Sequence, residues 1–296
     1  HIMSNFGAEP EISPTYDTTA LFAQVIPYLR SLKEAGVGTI FDCTTAFFGR
    51  DAKLLKQLSD STGIHIVTNT GFYGAAKDRY VPPLVLESSE WEIAQIWMLE
   101  YEEGIDGTDI RPGFIKLAFD EGEVSEVDLK LFRAGVLTHL ETGLTLAVHT
   151  GGNEEAALAQ LETLQALGVS PDNWVWVHAN KVGDPKILLE FAQEGAWISL
   201  DGVKEENLNQ YVTWLEQFRD ANLLQKVLLS HDGNSFPRGG AIRPYDAIPT
   251  LLLSRLAEAG FSQEEIDQLT RLNPVEAFGF PLPPAQLLPD SVATQN

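Results

Sequence analysis

The chain has a single cysteine, Cys43, in 296 residues, so it can form no internal disulfide and has no cluster of thiolates to hold zinc. A reducing, cytoplasmic compartment is the expectation. Bases are also scarce: 20 Lys and Arg stand against 42 Asp and Glu, a net charge of −22. So acidic a surface repels phosphate backbones and anionic membranes, which makes nucleic acid a poor partner. No apolar run approaches the roughly 20 residues of a spanning helix, and no basic start with an apolar stretch behind it marks a signal peptide. No membrane association is expected. What remains is globular composition, 44% hydrophobic and 21% charged, with length enough for one large core or two modest ones.

Short β-rich runs alternate with longer segments of helical period. The runs fall at 38–44, 65–73, 113–119, 145–150, 174–180, 196–202 and 227–233, which predicts seven strands. Between them lie helix signals. Ser89-x-x-Glu92 and Ser125-x-x-Asp128 read as capping boxes, Asp184-Pro185 as an N-cap with proline in the first turn, and Gly36, Gly143 and Gly168 as stops. Such alternation builds a parallel sheet, and eight units close an α/β (β/α)8 TIM barrel of about 250 residues. One strand is missing from the seven. If it lies before residue 1, residues 18–35 are its helix. The competing open doubly wound sheet needs a Gly-rich turn after an early strand, and Asp42-Cys43-Thr44-Thr45-Ala46 has no glycine. One barrel over residues 1–280 is therefore expected, closed by helices around 244–260 and 262–278 and followed by a Pro-rich tail at 281–296 on the surface.

Four strands end in groups that bind metals or move protons: Lys116, His149, His178 and Asp232. The C-terminal edge of barrel strands is where catalytic groups converge. With His149 pointing inward, period-two alternation sends Thr145 and Ala147 inward and Leu146 and Val148 outward. The same rule strains the 174–180 run, because an inward His178 takes the bulky Trp174 and Trp176 with it. His65, at the start of its strand, belongs to the opposite face. His139 falls on a helix, and His231 alternates away from Asp232, so these three read as structural. An unpaired ammonium on Lys116, inside Phe114-Ile115-Lys116-Leu117-Ala118, would be costly to bury. Either it pairs with Asp232, or carbon dioxide converts its amine to an anionic carbamate.

These residues, in this order, resemble the phosphotriesterase family of the amidohydrolase superfamily. The likeness covers nearly the whole chain. Gly113-Phe114-Ile115-Lys116 is similar to the family's lysine motif, Val148-His149-Thr150 to its fifth-strand motif, Val177-His178-Ala179-Asn180 to its sixth and Leu229-Ser230-His231-Asp232 to its eighth. Residues 36–42 and 70–73 look like the second and third strands, and Asn273-Pro274 like the closing helix. The resemblance implies a two-metal centre with carboxylated Lys116 bridging the ions, His149 and His178 on the more exposed ion, and His1 with Asp232 on the more buried one. His1-Ile2-Met3, with Phe6-Gly7-Ala8 behind it, resembles the segment just after the family's first strand. On that likeness His1 is the second member of a His-x-His pair whose first member and strand precede this sequence. The rival reading makes His1 a cloning remnant. Zinc is the expected ion, with manganese or cobalt as alternatives.

The implied reaction is attack of a metal-bridging hydroxide on an ester, a lactone or other carboxylic ester, with Asp232 as proton acceptor. A phosphotriester is the alternative substrate, and a metal-free, non-catalytic binding barrel is the alternative from another class. Tyr73 stands where lactone-hydrolysing members carry a pocket tyrosine. Asp201 is followed by Gly202, where such members place arginine and the phosphotriesterases histidine, so neither subgroup is matched. Lys77, Arg79, Lys181, Lys204, Arg238 and Arg243 come after the strands on the catalytic face, six of the chain's 20 bases. Lys204, Arg238 and Arg243 are accordingly expected to meet an anionic group on the substrate, with the two arginines lacking an acidic neighbour in their loop. A small-molecule substrate and a homodimer complete the expectation.

Overall fold

The computed structural model describes residues 1–10 and 15–279. Its strands are β1 (Met3–Ser4), β2 (Thr39–Phe41), β3 (His65–Val67), β4 (Asn69–Thr70), β5 (Phe114–Ala118), β6 (Leu146–His149), β7 (Trp174–Val177), β8 (Trp197–Asp201), β9 (Val227–Ser230) and β10 (Phe236–Pro237). The pairings between these strands are all parallel. β4 to β9 form one sheet in chain order, β2 pairs with β3, and β1 with β10. β3 and β4 are a single extended run interrupted at Thr68, so β2 joins the same wall and all seven expected strands are present. The fold is an α/β barrel of the TIM type.

Alternation along the strands separates two apolar layers. Ile115, Leu117, Leu146, Val148, Trp174, Trp176, Ile198 and Leu200 face outward into the large core beneath the helices. Phe114, Ala147, Val175, Trp197 and Leu228 fill the interior, with Phe41, Val67 and Phe278 packed against them. The lower mouth is plugged. Phe278 lies 4.6 Å from Phe41 and 5.6 Å from Phe114 between ring centroids, and Asn273 donates to the carbonyls of Leu224 and Val227.

The helices on the wall are α1 (Thr18–Glu34), α2 (Ala52–Thr62), α3 (Leu84–Glu87), α4 (Glu90–Glu103), α5 (Glu126–Thr142), α6 (Glu154–Ala166), α7 (Pro185–Gln193) and α8 (Leu208–Asp220). Ser89 and Glu92 form the expected reciprocal box at the start of α4, and Asp184 caps α7. At α5 the expectation is corrected. Ser125 caps Asp128 N, but the Asp128 carboxylate accepts from Asp120 N at 3.4 Å, and the return bond from Ser125 N that would complete the box is not formed. Gly143, at φ 74°, ends α5 in the left-handed conformation that glycine adopts without strain.

Residues 1–4 lie between the ends of β2 and β9. Ile2 N donates to Asp42 Oδ2, the His1 backbone nitrogen to Gly233 O, and Phe236 N to Ile2 O. No helix among the described residues is long and apolar enough to cross a membrane. The expected tail at 281–296 lies outside the described residues.

Candidate active site

Four polar groups stand on four adjacent strands at the C-terminal edge. Lys116 is on β5, His149 ends β6, His178 comes directly after β7 and Asp201 ends β8, with Ala118 in register with His149 and His149 with Val177. Lys116 is only 3% exposed. Its Nζ donates to Leu117 O at 2.8 Å and lies 5.8 Å from the Tyr73 ring centroid, and it makes no ion pair among the described residues. The salt bridge to Asp232, one of the two expected partners, is not formed. Burial pulls the Lys116 amine down to about 8, partly opposed by the carboxylates of Asp201 and Asp232. Cys43 is pushed the other way, to about 11, by the same burial.

His149 and His178 meet edge to face with ring centroids 4.5 Å apart. Burial, reinforced by His178 and Lys116, holds His149 well below its usual value, so the ring is neutral and carries a lone pair. Its Nδ1 is 3.3 Å from the Tyr73 hydroxyl. The problem of Trp174 and Trp176 resolves here. Both face outward and Val175 faces in, because β7 stops at Val177 and His178 takes φ 62° and ψ 30°. That left-handed residue breaks the two-residue period and delivers the imidazole to the site without placing tryptophan in the barrel.

Asp201 is the residue that the sequence reading missed. It is 5% exposed, accepts from His178 N at 2.6 Å and Ser199 Oγ at 2.7 Å, and sits 3.1 Å from His178 Nδ1. Burial alone would raise its carboxyl, but the contacts with His178, Ser199 and Ser230 outweigh it and hold the group below the usual carboxylate range. With Nδ1 donating to Asp201, the neutral His178 ring keeps its lone pair on Nε2, the arrangement of a carboxylate-oriented metal ligand. The signal was visible: Asp201 is one more polar residue at the end of an apolar strand.

The other half of the site is assembled from loops. His1 is fixed by its backbone nitrogen to Gly233 O at 2.9 Å, by Nδ1 to Thr44 Oγ1 at 2.9 Å, and by an edge contact with Phe48. Gly233 adjoins Asp232, so the backbone of His1 lies beside the loop that carries Asp232. Asp232 has φ 50° and accepts from Arg243 Nη1 at 3.0 Å. The expectation that Arg243 lacks a partner is thereby corrected: the acid is Asp232 itself, reached by the fold-back of the loop, where Asn234 and Arg243 exchange two backbone hydrogen bonds. Arg243 Nε remains buried without a partner among the described residues. Arg238 donates to Asn5 Oδ1 at 3.0 Å.

Tyr73 stacks on Phe48 at 4.9 Å and joins His1 to His149 through one aromatic wall. Lys204 is exposed on the turn after β8. His65 is exposed at the start of β3, His139 Nδ1 bonds Leu144 O, and His231 Nε2 accepts from Ile248 N, all in structural positions. Among the described residues, no three His, Cys, Asp or Glu side chains converge on one point. The donor chemistry nevertheless suits divalent ions: two imidazoles, one carboxylate-oriented, stand near a buried amine that donates to a backbone carbonyl and to no carboxylate among the described residues. A neutral amine adds to carbon dioxide, losing a proton and gaining a carboxylate.

The model of the phosphotriesterase family matches residues 5–278 of this chain. The phosphotriesterase homology protein of Escherichia coli is 30% identical over 263 residues, 87% of this chain and 89% of its own. Its structure, solved with phosphate in the active site, matches with a TM-score of 0.77 at 29% identity, covering 87% of this chain and 89% of that one. An aryldialkylphosphatase of Saccharolobus solfataricus is 27% identical over 73% of this chain and 69% of its own. An N-acetyltaurine hydrolase of Xenopus tropicalis is 26% identical over 84% and 75%.

Proposed function

Because the chain belongs to the phosphotriesterase family, we propose that it is a two-metal hydrolase whose substrate is a lactone or other carboxylic ester bearing an anionic group. The observation that carries the proposal is the meeting of His149 and His178 at 4.5 Å beside the buried Lys116, which has no carboxylate partner among the described residues. In this reading His149 and His178 would hold one divalent ion and His1 and Asp232 the other, and Lys116, once carboxylated, would serve as a ligand to both. Each ion thus takes only two His or Asp side chains, in keeping with the lack of any cluster of three among the described residues. Zinc fits imidazole and carboxylate donors, as do manganese and cobalt. When bound, the ions supply an activated water and polarise the substrate's carbonyl.

The chain's own residues do the rest. Asp201 holds His178 in one tautomer and one orientation. Asp232 accepts the proton released as water attacks, and Arg243 holds that carboxylate in place. Tyr73 and Phe48 form an apolar wall that keeps bulk water from one side of the substrate. Arg243, whose side chain is about one third exposed beside Asp232, puts positive charge where a substrate anion could meet it, and Lys204 and Arg238 add positive charge on the same face.

The relatives are named for a phosphotriester and for an amide, so the substrate class must be tested against both. A panel of anionic and neutral lactones, aryl esters, a phosphotriester and an N-acetyl amide, run with metal and bicarbonate, is expected to rank an anionic lactone first. A higher kcat/KM for the phosphotriester would replace the ester reading. Metal analysis separates enzyme from inert barrel: about two ions per chain is expected, and none would leave a non-catalytic binding barrel.

A further inference from the structure

Thr44, just beyond the end of β2, has no exposed surface, and its hydroxyl has two partners. It donates to Met3 O at 2.9 Å and lies 2.9 Å from His1 Nδ1. A threonine hydroxyl carries one proton and a backbone carbonyl can only accept. The proton therefore goes to Met3, and the contact with the imidazole is made by His1 donating. Neutral His1 is consequently the Nδ1–H tautomer, and Nε2 is left with the lone pair.

The surroundings fix this arrangement. Asp42, also without exposed surface, accepts from Thr44 N at 3.0 Å and from Ile2 N at 2.5 Å. Asn69 Nδ2 clamps both sides of the turn, donating to Asp42 O at 2.8 Å and Thr44 O at 3.1 Å. The Phe48 ring meets the edge of the imidazole, with centroids 5.4 Å apart. Thr44 thus cannot rotate away without leaving a buried carbonyl and a ring N–H unpaired.

We infer that Thr44 is a positioning residue for the candidate centre: its hydroxyl sets the tautomer and ring angle of His1 so that Nε2 is the atom presented to a divalent ion. The inference rests on the two-metal reading for its purpose but not for its geometry. It makes Thr44 the neutral counterpart of Asp201, which does the same for His178.

Thr44→Val keeps the shape and removes the hydroxyl, and Thr44→Ser keeps the hydroxyl. In the metal-free full chain, nitrogen–proton correlation spectra of the imidazoles should show His1 protonated on Nδ1 in the parent and in Thr44→Ser, and a mixed or Nε2–H ring in Thr44→Val. Zinc titrated with bicarbonate present should bind one of its two sites about 10–100-fold more weakly in Thr44→Val and near-normally in Thr44→Ser. An unchanged tautomer together with both zinc affinities intact in Thr44→Val overturns the inference. So does an Nε2–H ring in the parent chain, which decides the matter even if Thr44→Val fails to fold. A parent chain that binds no zinc yet shows the tautomer change would instead overturn the two-metal reading and leave the orienting role of Thr44 standing.

Discussion

The two halves of the candidate site are held by different physics. Lys116, His149, His178 and Asp201 stand on or directly after β5 to β8, neighbours in one continuous sheet whose backbone ladder sets their spacing. His1, Thr44, Asp232 and Arg243 are joined instead by side-chain and loop contacts, with His1 and Gly233 separated by 232 positions in the chain. On the ladder side a side chain can change while its neighbours keep their places, because the backbone bonds persist. On the loop side each side-chain contact is itself part of the scaffold, so the same kind of substitution alters both chemistry and position.

The largest effect is expected on the loop side. Asp232→Asn should lower turnover by at least about 10²-fold with an unchanged circular dichroism spectrum, since the proton acceptor is lost and a ligand weakened. Unchanged turnover would remove Asp232 from the mechanism. On the ladder side, Asp201→Asn should weaken binding of one metal ion by about 10–100-fold while crystal positions of His149 and Lys116 stay fixed; movement of the whole edge would show that the ladder does not set the spacing. Gly7→Ala sharpens the contrast. Gly7 has φ 80°, and a Cβ there would lie 2.6 Å from the Gly239 backbone, so a loss of about 1–3 kcal/mol is expected. Hydrogen exchange should place the faster opening in residues 233–244 and leave β5 to β8 protected. The smallest effect belongs to Arg243→Met, which should slow both lactones modestly by freeing the Asp232 carboxylate and raise KM for an anionic lactone about tenfold or less beyond any change for a neutral one. Equal effects on both would mean that Arg243 shapes the pocket through Asp232 without reading charge.

Local rules carried the sequence reading a long way. Apolar runs, caps and stops are encoded in a few consecutive residues, so all seven strands, the Ser89 box and the outward or inward sense of Leu146, Ala147 and Val148 came from the sequence alone. The polar residues at strand ends were equally visible, because an apolar strand has few reasons to finish in Lys, His or Asp. Three things required the folded chain. The left-handed turn at His178 reverses a two-residue period, and a histidine does not advertise a positive φ as glycine does. The pairing of Asp201 with His178 depends on two strands lying side by side, which sequence separation does not reveal. The ion pair of Arg243 with Asp232 exists only because one loop folds back on itself, and the hydroxyl of Thr44 meets His1 only because segments distant in sequence are pressed into one slot by the barrel. Periodicity determines which way a strand residue faces; what it faces is decided by the contacts that close the fold.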